Sequence, residues 1–563
     1  MSTELEALEA AVVSAPSSLE ARAALRDRLN ELGDPRGEHM ALSLELDQLH
    51  VWEDRFHEVK RRVAELEAEH SRTWLAEIAQ ATRQEAGRPW GNTRFCFRRG
   101  ALERLEGDIQ DLAHQLSATT ELAPVVELVE LDNVTTQPIE RLAETPALKR
   151  VRKLTLRTGS RVMWKDPLIS PLLESPHLER LDKLTINLSR TSTKIKWDDE
   201  VRRLTECPAL AGLEELGLLD HAGKITPAGV ETLMAAPFMS NLRKLGLKIG
   251  EEERLFQAVA QLRGLEELSL GGVNARGLDA ISDLACKDTL LSLSLRESSE
   301  TPNHPITLTL PELRALSVTG FGLDEAKMMQ LLDDSNLGKL RVLTLSAGRE
   351  DGVVKALAKR WRWGSLRELN LLGVESAEAL AALLASPIAS ELKRLGLAGL
   401  GTAAWDALLA WPGLAQLEAL DVRHLGSTDD SPLTPRRAHT LFDALAAVHE
   451  LDLRGQLQGA DPIRSLARAN GLTKLRRLSI LTGDPSGIVR LAHSRVGAQL
   501  EALRLPNKRL ELETAEALAQ MPHLARLQFP TGYFDAPFAC LLERFGPGFL
   551  SGNPEVPVEN AFD

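Results

Sequence analysis

Charged side chains recur at two-residue intervals in the last third of this 563-residue sequence. The set comprises Asp421, Arg423, His424, Glu450, Asp452, Arg454, Arg477, Arg504 and Arg526. Side chains two residues apart lie on one face of a strand, where Asp and Arg either pair with one another or contact a charged partner. Both interpretations stay open: a self-neutralised surface ladder, or a polar recognition patch with an excess of arginine at Arg477, Arg504 and Arg526.

Motifs for catalysis are not found in the same sequence. It contains no GxxxxGK[ST] phosphate-binding loop, no HExxH metal-binding helix and no GxSxG nucleophile elbow. Cys96, Cys207, Cys286 and Cys540 are far apart, and no histidine stands at zinc-ligand spacing from them, which is typical of buried, reduced thiols. We therefore predict a protein that is not an enzyme, with no cofactor, no structural metal and no disulfide.

A repeat positions the charged residues: the pattern apolar-x-x-apolar-x-apolar occurs sixteen times between about residues 125 and 530. The copies begin at Val126, Val151, Leu181, Leu213, Leu242, Leu265, Leu290, Leu313, Leu340, Leu366, Leu392, Leu417, Val448, Leu475, Leu500 and Leu524. Since alternate strand residues share a face, the last two apolar positions point into a core and the residue between them points out. The intervening segments, such as 226–234 and 375–385, have helical patterns, so we expect one parallel sheet backed by helices.

This pattern resembles that of leucine-rich-repeat proteins, particularly the helix-backed ribonuclease-inhibitor group, over roughly seven-tenths of the chain. The resemblance implies an α/β solenoid, or horseshoe, with a parallel inner sheet and a mostly helical convex side. The Asn or Cys that the family places after each strand is replaced in most copies, for example by Val134, Val374 or Lys508. The interval 297–311 contains three prolines, which exclude a regular helix, and the alternation at 307–310 predicts a short strand.

Helical patterns cover the first 85 residues, at roughly 3–14, 18–32, 35–50 and 53–85. Gly33 suits a left-handed helix stop, and Asp34-Pro35 suits the cap and first turn of the next helix. Residues 25–38, Trp74-Leu75 and 95–100 resemble the "repeat-companion" domain that precedes repeats in many bacterial proteins, which implies an all-α N-terminal domain and a bacterial source. Residues 92–105 alternate, with Phe95 and Phe97 on one face, and predict an edge strand that caps the repeats.

These patterns divide the chain into four segments. We predict a helical repeat-companion domain at 1–90, a capping region at 91–124, a solenoid of about sixteen repeats at 125–530, and a C-terminal cap and tail at 531–563. The first residues lack the basic start and apolar stretch of a signal peptide, and no run of about 18 apolar residues offers a membrane span. We therefore expect a cytoplasmic protein that does not bind a membrane.

The formal net charge of −13 argues against nucleic acid, because the phosphate backbone is recognised mainly by basic surfaces. The repeat resemblance implies a scaffold that binds another protein on its concave face, and the arginine excess favours an acidic protein segment as that partner. Two alternatives remain: a regulator of a partner enzyme, of the GTPase-activator or inhibitor type, and a hydrolase whose site is not recognised.

Overall fold

Four helices begin the chain, and strands alternating with helices follow them. The computed structural model describes residues 2–16, 18–74, 94–123, 126–132, 134, 136–157, 169–187, 197–219, 225–248, 253–297, 307–320, 324–334, 337–346, 351–360, 365–423, 433–454, 460–480, 484–505, 511–524, 526–528 and 541. Residues up to Lys248 form one compact unit, and those from Glu253 onward form a second. Within these ranges, no helix has both the length and the apolar composition needed to cross a membrane.

The first unit contains an all-helical region, a hairpin and strand–helix repeats. Its elements are α1 (Ser2–Ser14), α2 (Leu19–Glu31), α3 (Pro35–Leu46), α4 (Asp54–Trp74), β1 (Arg94–Arg98), β2 (Ala101–Asp108), α5 (Ile109–Leu122), β3 (Leu128–Asp132), α6 (Thr136–Ala143), β4 (Lys153–Arg157), α7 (Ser170–Leu173), β5 (Lys183–Asn187), α8 (Trp197–Glu206), β6 (Glu215–Leu219), α9 (Pro227–Met234) and β7 (Lys244–Lys248).

Capping residues set the boundaries of the N-terminal helices as the sequence predicts. Gly33 has φ +69°, and the Asp34 carboxylate accepts a hydrogen bond from the Arg36 backbone N–H at 2.9 Å. These contacts confirm that Gly33 and Asp34 end one helix and start the next. Helix α3 ends at Leu46, earlier than the predicted residue 50, in a turn where the Asp47 N–H bonds the Ser43 carbonyl. Residues 75–85 of the predicted fourth helix lie outside the described residues.

The predicted single edge strand over 92–105 is instead a hairpin. Strands β1 and β2 pair antiparallel, with a register shift between Cys96 and Phe97 that interrupts the expected alternation. Arg99 and Gly100 have φ values of 48° and 73°, as a two-residue hairpin turn requires. A Cβ at Gly100 would lie 2.8 Å from Cε of Met40, so this turn packs closely against α3. Strand β2 then pairs parallel with β3.

The second unit continues the alternation. It contains α10 (Glu253–Ala260), β8 (Glu267–Val273), α11 (Ala275–Ser282), β9 (Ser292–Glu297), β10 (Ala315–Thr319), α12 (Glu325–Asp334), β11 (Val342–Ser346), α13 (Gly352–Arg360), β12 (Glu368–Leu372), α14 (Ala377–Leu384), α15 (Pro387–Ser390), β13 (Arg394–Ala398), α16 (Thr402–Leu409), β14 (Ala419–Asp421), α17 (Pro435–Ala444), β15 (Glu450–Leu453), α18 (Ala460–Ala467), β16 (Arg477–Ile480), α19 (Pro485–Ala492), α20 (Arg495–Gln499), β17 (Ala502–Arg504), α21 (Leu512–Ala519) and β18 (Arg526–Gln528).

Each of the sixteen repeat copies supplies one strand, β3 to β18, and every described motif position is buried. Neighbouring strands within each unit pair in parallel with the motif positions aligned; Leu268, for example, is level with Leu293. Phe529, the last motif position, lies outside the described residues. Each unit therefore has the α/β leucine-rich-repeat architecture that the sequence predicts, with a parallel sheet and helices between the strands.

Several prolines that follow a helix also begin a second, short helix. Pro146, Pro208, Pro237 and Pro412 each begin a short 3-10 helix, and Pro387 begins α15. Proline is favoured at the first helical position because its missing N–H has no partner there in any case. Each such repeat therefore carries a second short helix before its next strand.

Backbone hydrogen bonds replace the missing Asn after the strands. The Val134 N–H bonds the Arg157 carbonyl at 3.2 Å, and the Gly401 N–H bonds the Val374 carbonyl at 2.9 Å. Val134 and Val374 are fully buried. An apolar residue is tolerated at this position because main-chain groups of neighbouring repeats satisfy the turn.

The strand predicted at 307–310 is wrong, since these residues form no strand of the sheet. The alternation still predicts which side chains are buried: Leu308 and Leu310 are fully buried, whereas Thr309 is exposed. These residues therefore cover part of the core without forming a strand. Residues 298–306, with two of the three prolines, and 531–563, apart from Leu541, lie outside the described residues.

Candidate binding face of the second unit

The residues between the motif leucines form the polar face of the second unit, which we define as the side of its sheet opposite the buried leucines. Strand pairing arranges this face in two rows. The first row contains Glu368, Arg394, Ala419, Glu450, Arg477, Ala502 and Arg526. The second row contains Asn370, Gly396, Asp421, Asp452, Ser479, Arg504 and Gln528. Neighbours within a row lie about 4.8 Å apart, the spacing of paired strands.

The structure therefore brings most of the predicted site residues onto this one face. Asp421 and Asp452 are adjacent on β14 and β15, while Arg423 stands two residues after the end of β14 and Arg454 directly follows β15. Arg526 lies on β18, but its side chain is not among those described, and His424 lies outside the described residues altogether. His449 precedes β15, where its carbonyl accepts hydrogen bonds from the N–H groups of Arg476 and Arg477.

Two ion pairs at the centre of the face each join residues that are two positions apart in the chain. Arg423 Nε lies 2.9 Å from Asp421 Oδ2, and Arg454 Nη2 lies 2.8 Å from Asp452 Oδ2. All four side chains are half-buried, with Asp421 32% exposed and Asp452 16% exposed. The self-neutralised ladder is therefore present for these four residues.

Crowding of the two carboxylates changes the titration of one of them. Burial, together with the charge of Asp452 on the next strand, raises the pKa of Asp421 to about 7. Arg423 and Arg454 oppose this rise without cancelling it. The charge of the face therefore varies close to neutral pH.

Glu450 does not pair with Arg477, its neighbour in the row. It binds Arg394 instead, with Oε2 3.3 Å from Arg394 Nη2, while Arg394 Nε lies 3.1 Å from Glu368 Oε2. Arg394 stands two strands away from Glu450, with the small Ala419 between them. Sequence reasoning missed Arg394 and Glu368, although both stand one residue before a motif leucine, as Glu450 does.

Arg477 and Arg504 are the two described arginines of this face that form no ion pair with a described carboxylate. Within the described part of the chain, neither has a carboxylate at ion-pair distance, because Asp421, Asp452 and Glu450 contact other arginines. Burial lowers the pKa of the Arg504 guanidinium, and nearby Arg454 lowers it further. Ser479 and Ala502 occupy the positions beside them, so two cationic side chains stand over a floor of small residues.

Thiol and metal chemistry receive no support from the described residues. Cys96, Cys207 and Cys286 are free thiols, and burial raises the pKa of Cys207 and Cys286, which disfavours the nucleophilic thiolate. Across the described ranges, no group of three His, Cys, Asp or Glu side chains is placed to hold a metal ion. Cys540 lies outside those ranges.

Comparison with known proteins gives structural neighbours only. No family model and no curated protein matches the chain. Among solved structures, the TLR13–ssRNA13 complex is 17% identical with a TM-score of 0.32, and the match covers 78% of this chain and 64% of that one. The Leptospira interrogans LRR protein LIC12759 is 15% identical with a TM-score of 0.27, covering 76% and 98%. The Drosophila Toll–Spatzle complex is 13% identical with a TM-score of 0.25, covering 75% and 53%. At these similarities, none of them assigns a ligand to this chain.

Proposed function

We propose that this protein is a non-catalytic binding scaffold that holds an acidic segment of a partner protein on the polar face of its second unit. One observation carries the proposal. Every described carboxylate at the centre of the face contacts Arg394, Arg423 or Arg454, so Arg477 and Arg504 keep their charge for a partner. Arginine forks bind carboxylates in a bidentate manner and are enriched at protein interfaces.

The organisation of the rest of the chain is part of the same proposal. We propose a repeat-companion domain at 1–90 and a capping region at 91–124. The repeats would follow at 125–530, and a C-terminal cap and tail at 531–563. The core of the helical region, which contains Val12, Leu25, Leu29 and Met40, supports a distinct N-terminal segment. Free cysteines, of which Cys207 and Cys286 are buried, suit a cytoplasmic, reducing environment.

A direct test uses the full chain and a fluorescein-labelled oligoglutamate peptide, followed by fluorescence anisotropy. Replacing Arg477 and Arg504 together with Ala removes two unpaired cations from the face. We expect roughly tenfold weaker peptide binding at low salt and a smaller difference at high salt, because exposed charges are screened.

The matched control is the double variant Arg490→Ala with Arg495→Ala. These two exposed residues lie on α19 and α20, between the strands that carry Arg477 and Arg504. The control changes the net charge equally but leaves the polar face intact, so its peptide affinity should match that of the wild type. Equal losses in both variants would show only a general charge effect and contradict the proposed site. Affinity purification from the native cell, with the Arg477/Arg504 variant as the negative bait, would then identify the natural partner.

A further inference from the structure

The last three strands of the second unit carry arginines on the polar face and no carboxylate. Strands β16, β17 and β18 have the sequences RLSI, ALR and RLQ, which contain no Asp or Glu. The carboxylates beside them are already paired. Glu501, directly before β17, lies 3.1 Å from Arg476, and Asp452, on the preceding strand, lies 2.8 Å from Arg454. Positive charge therefore remains at this edge of the sheet after its neighbouring carboxylates are counted.

Arg477 and Arg504 hold that charge in half-buried positions. Neither has a carboxylate at ion-pair distance within the ranges that the structure describes. Burial lowers the pKa of the Arg504 guanidinium, and the charge of Arg454 lowers it further. An unpaired, partly desolvated cation is unfavourable, so a carboxylate that reached these two side chains would stabilise the folded chain.

The chain leaves the sheet beside these two arginines. Gln528, the last residue of β18, is level with Arg504 on β17 in the strand register, and β16 with Arg477 is the next strand along. From the spacing of paired strands and of residues along them, Gln528 lies about 5 Å from the position of Arg504 and about 12 Å from that of Arg477. Whatever follows β18 is therefore tethered next to the unpaired arginines.

The sequence that follows β18 contains an acidic stretch. Residues 551–563, which we call the acidic tail, include Glu555, Glu559 and Asp563 and no Lys or Arg. The three carboxylates recur every four residues, and the two prolines between them disfavour a regular helix. The acidic tail thus has the chemistry of the ligand that the polar face is proposed to bind.

The length of chain between β18 and the acidic tail is sufficient for this contact. Residues 529–550 separate the two. A random coil of that length has an end-to-end distance of about 25 Å, which exceeds the distances of about 5 and 12 Å that must be covered. A tether of this length gives an effective concentration in the millimolar range, so even a weak contact with the arginines would be populated.

We propose that the acidic tail occupies the polar face of the second unit at Arg477 and Arg504 and competes there with the acidic segment of a partner. This inference rests on the proposed function, because both ligands use the same two guanidinium groups. A partner must displace the tail before it binds, so the apparent affinity of the full chain is lower than that of the unoccupied face.

Photo-cross-linking tests the contact without any added ligand. Phe562, next to Asp563, is replaced in the full chain by benzoylphenylalanine, and the products of irradiation are mapped by mass spectrometry. Cross-links should fall on strands β15 to β17 and should be lost when Arg477 and Arg504 are both replaced by Ala. Cross-links confined to other parts of the chain, or unchanged by the two arginine replacements, would overturn the proposal. Cross-links that join only two different chains, in a mixture of light and heavy isotopes, would also overturn it.

Fluorescence anisotropy with the labelled oligoglutamate peptide measures the competition. Replacing Glu555 and Glu559 with Gln and Asp563 with Asn in the full chain should tighten peptide binding about tenfold at low salt. The matched control, Glu511→Gln with Glu513→Gln and Glu516→Gln, removes three exposed carboxylates in or next to α21, between β17 and β18. It changes the net charge equally and should bind the peptide like the wild type.

The outcomes separate this inference from the proposed function. Equal peptide affinity of the tail variant and the wild type, with binding still dependent on Arg477 and Arg504, would overturn the tail contact and leave the binding face intact. Equal tightening in the tail variant and in its control would show a general charge effect and overturn the tail contact as well. Absence of peptide binding by the tail variant would overturn the proposed function, and the cross-links alone would then decide whether the tail lies on the face.

Discussion

Replacing Asp421 with Asn should stabilise the protein at neutral and alkaline pH. In the folded chain, Asp421 is half-buried and stands next to Asp452 across the β14–β15 pair. Folding therefore brings two carboxylates together, and the pair with Arg423 does not fully compensate, since the pKa of Asp421 remains raised to about 7. Asn keeps the size of the side chain and removes the charge that the fold disfavours.

The magnitude follows from the size of that rise. A change from an ordinary value of 3.8 to about 7 corresponds to about 4 kcal/mol, at roughly 1.4 kcal/mol per pKa unit. The Asp421 side chain is 32% exposed, so solvent screens much of this interaction. We expect Asp421→Asn to increase the free energy of unfolding by about 1–2 kcal/mol at pH 8.

The pH dependence has a definite sign. Between about pH 4 and pH 7 the folded chain keeps a proton on Asp421 that the unfolded chain releases, so this group makes the wild type less stable as the pH rises through that window. The advantage of Asp421→Asn should be absent below pH 4 and should grow up to pH 8. Urea unfolding at several pH values measures it.

Asp406→Asn is the matched control for this experiment. Asp406 is an exposed residue of α16 that also pairs with an arginine, Arg437 at 2.9 Å. Its replacement should give no comparable pH-dependent stabilisation. A constant difference between Asp421→Asn and the wild type from pH 5 to pH 8, or a loss of stability at pH 8, would refute the electrostatic argument.

Two further predictions concern burial. Leu268→Asp places a carboxylate on the buried side of β8 and should lower the free energy of unfolding by several kcal/mol. In scanning fluorimetry, the control Glu267→Gln, on the opposite face of the same strand, should melt like the wild type. A wild-type melting temperature for Leu268→Asp would show that the strand register is wrong. Glu103→Ala should destabilise the first unit by about 3–5 kcal/mol, because fully buried Arg22 loses its carboxylate at 2.6 Å while Arg99 remains near. The double variant Arg22→Met with Glu103→Leu should recover much of that loss in urea unfolding, and a single Glu103→Ala variant as stable as the wild type would contradict the role of this pair.

The repeat pattern predicted most of the fold because one physical constraint is imposed sixteen times. Each copy must bury the same apolar positions at the same height as its neighbours, so a motif residue such as Leu268 has its core position determined by periodicity alone. The Gly33-Asp34 boundary was equally predictable, because a left-handed glycine and a capping carboxylate act on their immediate neighbours.

Other features depend on residues distant in sequence, and the pattern did not contain them. The hairpin at Arg99 and Gly100 interrupts an alternation that looked like one strand, since two adjacent positive φ values depend on packing against Met40 as well as on residue type. The alternation at 307–310 correctly indicated burial but not strand pairing. Local spacing was sufficient to predict which residues are buried, but it was not sufficient to predict which segments pair as strands.

The candidate site shows the same division between local and distant interactions. The sequence suggested the pairs Asp421 with Arg423 and Asp452 with Arg454, because residues two apart on a strand are neighbours whatever the rest of the fold does. The contact of Glu450 with Arg394 spans 56 residues and depends on strand register.

Which charges remain for a partner is therefore decided only after the cross-strand pairs have formed. On the second unit, Glu450 forms an ion pair with Arg394 and not with Arg477, its neighbour on the next strand. On the first unit, Glu215 lies 3.1 Å from Lys183 and 4.0 Å from Lys244 on the two neighbouring strands. On the second unit, the positive charge of Arg477 and Arg504 thus remains on the side opposite the core, because the described carboxylates of that face contact other arginines. This surplus makes acidic protein segments the partners to test first on that face.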